Sequence, residues 1–116
     1  MLNCSLGRSS DKWIDFNFFG HQVVAHLVNQ KKSGKDSNTV DGKEVPTEHF
    51  GIILDMSDWE MLASRLKEKG VQFVIKPHVR FKNLPGEQAT MFFLDPCGNA
   101  LEFKAFKKDS EIFRIS

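Results

Sequence analysis

The chain has 116 residues, enough for one domain or two small half-modules sharing a core, and its 41% hydrophobic and 27% charged content excludes disorder and collagen-like repeats. Sixteen basic residues against fifteen acidic ones leave a formal charge of +1, which offers no general electrostatic attraction to nucleic acid or to a membrane surface. No apolar run approaches the roughly 20 residues of a membrane span and no signal-peptide core opens the chain, so a soluble, cytoplasmic protein is expected.

The first elements read as strands. Residues 12–19 are aromatic-rich and partly alternate apolar with polar residues. A tight turn at Gly20-His21 then leads into a second run, Gln22 to Val28. Ser5 to Asp11 carries a weaker strand signal. Residues 29–45 are polar and include Lys31, Lys32 and Lys35. A surface loop linking two halves is expected there.

The second half is more sharply marked. His49 to Asp55 is a short apolar strand, followed by Ser57-Asp58-Trp59-Glu60, which has the spacing of a capping box. The helix that follows runs to Lys69, with Trp59, Leu62, Ala63 and Leu66 on one face and Gly70 where a left-handed cap belongs. Val71 to Lys76 reads as a strand ended by Pro77, Asn83 to Glu87 as a turn, and Gln88 to Leu94 as another strand. Asp95 to Asn99 is a tight connection into the last strand, Ala100 to Phe106. The order is βαβββ.

Laying Gly20 on Gly98 places Val24 opposite Glu102 and His26 opposite Lys104. The first half therefore reads as the last three strands of another βαβββ unit, with Met1 falling too late for its opening strand and helix. The expected fold is α+β: paired βαβββ modules, the first N-terminally truncated. Residues 1–116 form a single domain on this reading. It comprises a partial first module (1–28), a linker loop (29–47), a complete second module (48–106) and a C-terminal tail (107–116).

His49 opening an apolar strand, the helix ending at Gly70, and the run Leu94-Asp95-Pro96-Cys97-Gly98-Asn99-Ala100-Leu101-Glu102-Phe103 resemble the vicinal oxygen chelate superfamily. This is the glyoxalase, bleomycin-resistance and extradiol-dioxygenase group. The segment Phe18 to Leu27 resembles its dioxygenase-like branch. The resemblance extends from about Cys4 to Phe106 and implies a divalent metal, Fe(II), Mn, Ni or Zn, held between curved sheets. It places His49 and Glu102 as metal ligands. The third ligand of the dioxygenase-like pattern belongs to a strand this chain does not contain, and the counterpart in the first module is Val24, which cannot ligate. The site is therefore incomplete, with an absent metal as the alternative.

Each candidate has a plainer reading beside it. His49 is a metal ligand or a surface histidine at a strand end, and Glu102 is a ligand or the solvent face of an amphipathic strand. His26, on the face of Gln22 and Val24, and His78, in a loop after Pro77, are candidate catalytic residues. The alternatives are a sheet histidine satisfied by a neighbour and an ordinary loop cation. Arg80 is a candidate for binding an anionic substrate. Cys97 has no evident base nearby, and the absence of Tyr removes a phenol from acid–base work. Phe92, Phe93, Phe103 and Phe106 read as core.

The function expected from this resemblance is a metal-dependent enzyme, dioxygenase-like or lyase/isomerase-like, that binds two neighbouring oxygens of a small substrate. The alternatives are a non-catalytic small-molecule-binding module of the bleomycin-resistance kind, and a truncated relic without activity. A homodimer is expected to cover the sheet face that the partial first module leaves open.

Overall fold

The computed structural model describes residues 1–29, 37–46 and 48–115. By internal contacts the chain divides into two units, Met1–Ser33 and Gly34–Ser116.

The first unit is an antiparallel meander of β1 (Leu6–Ser9), β2 (Trp13–Phe18) and β3 (His21–His26). Phe19 and Gly20 both have positive φ, 54° and 87°. The turn is thus the kind whose twist matches a two-residue hairpin, one residue earlier than the expected Gly20-His21. Trp13 pairs with His26 and Asp15 with Val24. That register puts these four on one face, while Ile14, Phe16, Val23 and Ala25 take the other.

The second unit opens with a hairpin, β4 (Ser37–Val40) and β5 (Lys43–Pro46), closed by Asp41 and Gly42 at φ 51° and 75°. The described part of the expected linker loop is therefore strand and turn; Lys31, Lys32 and Lys35 lie outside the described residues. Next come β6 (His49–Ile53), α1 (Met56–Glu68), β7 (Phe73–Arg80), β8 (Gln88–Leu94) and β9 (Ala100–Phe106), in sheet order β6-β9-β8-β7. β6 runs parallel to β9 and the other pairs are antiparallel, so the expected βαβββ order is what forms. Among the described residues no helix is long and apolar enough to cross a membrane.

Helix α1 buries Trp59, Leu62, Ala63 and Leu66, the stripe its spacing predicts. Beneath it Met91, Phe93 and Phe103 are fully buried, and the Phe93 and Phe103 rings stack at 5.6 Å. Burial on this scale stabilises by about 1.5–3 kcal/mol for each such side chain. The Trp59 indole N–H donates to the Phe103 carbonyl at 2.8 Å, tying helix to sheet.

The helix begins earlier than a capping box at Ser57 requires. Asp55 is the N-cap and makes no side-chain cap bond, so Ser57 lies within the first turn. At the other end Gly70 N–H reaches the Lys67 carbonyl and Val71 N–H the Leu66 carbonyl, with Gly70 at φ 73°. This is a Schellman closure, which needs a residue free to adopt the left-handed region.

Pro77 does not end β7. The strand continues to Arg80, with register shifts on either side of Ile75. Proline is accommodated because β7 is the sheet's outer strand and bulged.

Candidate functional site

In β8 and β9, Thr90 pairs with Lys104 and Phe92 with Glu102. Strand alternation sends these four to one face of the sheet and Met91, Phe93, Leu101 and Phe103 to the buried face under α1. The first four line a cleft of about 180 Å³ together with Ile75, His78 and Arg80 of β7 and His49 of β6. Val40, Asp41, Lys43 and Val45 of the hairpin supply its remaining wall.

At the centre His49 Nε2 stands 3.3 Å from Glu102 Oε1. The other ring nitrogen, Nδ1, lies 2.8 Å from the Pro46 carbonyl oxygen. A carbonyl only accepts, so Nδ1 carries the proton and, in the neutral ring, Nε2 turns its lone pair toward the carboxylate. The Phe92 ring meets the imidazole edge-on at 5.0 Å. Glu102 Oε2 accepts the Thr90 hydroxyl at 2.6 Å, and Lys104 Nζ lies 3.8 Å from it. Glu102 is thus held by named partners on one oxygen while the other faces His49.

A lone pair facing a carboxylate calls for a positive species between or upon them: a second ring proton or a metal ion. Two donors sharing one ion at about 2.1 Å each stand about 3.0–3.4 Å apart. The observed separation and the fixed tautomer both fit a divalent ion. Among the described residues no group of three or more His, Cys, Asp and Glu could hold a metal, so His49 and Glu102 stand as a pair without a third such residue.

The closeness of β6 to β9 rests on Gly51, which pairs with Glu102. A Cβ built there would fall 1.5 Å from the Glu102 carbonyl oxygen. Only glycine allows this approach, which brings His49 onto Glu102.

His78 and Arg80 lie on a strand rather than in the expected loop, because β7 runs through Pro77. His78 Nδ1 is 3.0 Å from the Lys76 carbonyl oxygen. Arg80 Nε donates to Asp41 Oδ2 at 2.6 Å, and its guanidinium sits 4.8 Å above the Phe81 ring. His26 belongs to the first unit, where it lines an open depression with Trp13, Asp15, Gln22 and Val24. The structure therefore gathers His49, Glu102, His78 and Arg80 in one cleft, with His26 on the other unit. Sequence reasoning overlooked Asp41, Lys43 and Thr90 as cleft residues. Asp41-Gly42 between Asn38-Thr39-Val40 and Lys43-Glu44-Val45 is itself a strong hairpin signal, outweighed by the polarity of the stretch.

A family model described as Glyoxalase/Bleomycin resistance protein/Dioxygenase superfamily matches residues 6–103. The chain is 30% identical to a glyoxalase/bleomycin resistance protein/dioxygenase from Alicyclobacillus acidocaldarius, covering 97% of this chain and 80% of that one with a TM-score of 0.77. It also superposes on the fosfomycin resistance protein FosX from Listeria monocytogenes (16% identity, 95% and 78% coverage, TM-score 0.65). A third similar structure is FosX from Mesorhizobium loti (15% identity, 90% and 72% coverage, TM-score 0.57). At those identities the two FosX structures share the fold alone. No curated protein matches the chain.

Proposed function

Because this chain belongs to the Glyoxalase/Bleomycin resistance protein/Dioxygenase superfamily, we propose that it is a metal-dependent enzyme acting on a small oxygenated substrate, with His49 and Glu102 holding the metal. The observation that carries this reading is the 3.3 Å approach of His49 Nε2 to Glu102 Oε1, with His49 Nδ1 bonded to Pro46. A divalent metal held there, Fe(II), Mn, Ni or Zn, supplies Lewis acidity toward two neighbouring substrate oxygens.

The chain's own groups do the rest. Thr90 and Lys104 hold the Glu102 carboxylate in place. Phe92 and Ile75 form an apolar wall that limits water in the cleft. Arg80 binds an acidic group of the substrate, and His78 moves a proton at the cleft edge. His26 is kept as a second acid–base group on the first unit, on the strength of the depression it shares with the polar Asp15 and Gln22. The assembly proposed is a cytoplasmic homodimer.

Metal content per chain, measured by mass spectrometry on a size-exclusion peak of known mass, tests this. A near-stoichiometric divalent metal, lost in His49→Ala and in Glu102→Ala, is the expected result. A protein that stays metal-free and cannot be loaded overturns the enzyme reading. It would favour a non-catalytic binding module, for which the apolar wall of Phe92 and Ile75 speaks. Ligand-induced thermal shift in the presence of chelator would then identify it.

A further inference from the structure

We propose that Asp41 occupies an oxyanion subsite on Arg80 in place of the substrate's own acidic group, and that the ligand of this cleft carries a carboxylate or phosphate-type oxyanion that displaces it. The inference rests on the cleft being the substrate site, as proposed above, and adds the class of substrate and the means of its entry.

The contact is a single-point one: Arg80 Nε to Asp41 Oδ2 at 2.6 Å. A guanidinium presents a planar fork that pairs best with two oxygens of one oxyanion. Asp41 engages one prong and leaves the terminal amino groups for a fuller partner. The pair is also accessible, with the Asp41 side chain 48% exposed and that of Arg80 22%. Pairs of this kind are screened and readily exchanged.

The place of Asp41 in the fold makes its contact displaceable. It sits at the tip of β4–β5, a two-stranded sheet separate from the four-stranded one, and two strands alone are marginal in water. The base of the hairpin is fixed, since the Pro46 carbonyl holds His49. The hairpin is thus tied at its base to a candidate metal ligand and at its tip to the candidate anion receptor. When the tip leaves, Arg80 and Lys104 remain in a cleft whose remaining carboxylate is Glu102. The positive balance then favours a small anion.

Titration of the metal-free protein in chelator with inorganic phosphate, and separately with propionate, tests this by calorimetry. Wild type is compared with Asp41→Asn and Arg80→Gln. Asparagine keeps the left-handed turn position comfortable, so the first variant retains the hairpin. The expected result is at least 5-fold tighter binding of one or both anions to Asp41→Asn than to wild type, with saturable binding lost in Arg80→Gln. Anion addition is also expected to speed amide exchange across β4 and β5 in wild type. Which anion responds tells a carboxylate ligand from a phosphate-type one. Equal affinity in wild type and Asp41→Asn overturns the proposal. So does binding that survives Arg80→Gln, or no binding of either anion to Asp41→Asn. Because chelator is present throughout, failure of the metal reading leaves this result untouched, and a chain that takes up metal when chelator is absent but binds anion equally as wild type and Asp41→Asn refutes the subsite alone.

Discussion

Gly51 and Glu102 are partners across the parallel β6–β9 ladder, and they approach so closely that a methyl group on Gly51 would overlap the Glu102 backbone carbonyl. The atoms in the way are main-chain atoms, which cannot swing aside as a side chain can. The meeting of His49 with Glu102 therefore depends on a residue that has no side chain.

Gly51→Ala is expected to force β6 from β9 at a cost of about 3 kcal/mol or more. Thermal or urea unfolding measures the cost. A variant as stable as wild type would mean that the strands can part without penalty.

Thr90→Val removes the hydroxyl that donates to Glu102 Oε2 while keeping shape and burial. Outer partners of this kind typically contribute about 10–100-fold to metal affinity. Metal titration of the variant should show a weakening in that range with the fold retained. Unchanged affinity would remove Thr90 from the site.

Trp59→Phe leaves the packing of α1 largely in place but deletes the indole donor to the Phe103 carbonyl. The expected destabilisation is about 1–2 kcal/mol, read by urea unfolding. A neutral result would show that the carbonyl finds another partner.

The Glu44 carboxyl is held below the usual glutamate range by the hydroxyls of Ser37 and then Thr39. A carboxylate whose folded pKa is depressed contributes stability above its unfolded pKa, and that contribution fades as pH falls through the folded value. Protection factors of the β4 and β5 amides, taken against the intrinsic exchange rate at each pH, should therefore fall on acidification. In Ser37→Ala/Thr39→Val that pH response should flatten, with the Glu44 titration followed by NMR returning to the ordinary range.

Much of the second unit was legible because local signals there agree with one another. The helix stripe from Trp59 to Leu66 faces the core, and Gly70 closes the helix. In Asp95-Pro96-Cys97-Gly98-Asn99, Asp95 Oδ1 accepts the backbone N–H groups of Cys97 and Asn99, so the motif that carried the resemblance is a self-capped turn. Three features were hidden for physical reasons. A serine followed three residues later by glutamate also fits inside a first turn, so spacing alone misplaced the helix start. Proline is compatible with an outer strand once a bulge absorbs its missing donor, and position within a sheet cannot be read from local sequence. The β4–β5 hairpin buries little, so hydrophobic periodicity had nothing to register. The pairing of His49 with Glu102 was inferred from likeness, whereas the Asp41–Arg80 contact spans 39 residues and left no local trace.

The strands β8 and β9 divide their labour by parity. Even-numbered Thr90, Phe92, Glu102 and Lys104 face the cleft, and odd-numbered Met91, Phe93, Leu101 and Phe103 face the helix. Redesign of ligand preference can thus vary Thr90, Phe92 and Lys104 while leaving the hydrophobic interior untouched. An insertion of one residue at the start of either strand would exchange the two sets of that strand, turning its oily side chains outward, and in β9 it would drive the Glu102 carboxylate under the helix. Substitutions in these strands are an engineer's freedom; changes in their length are not.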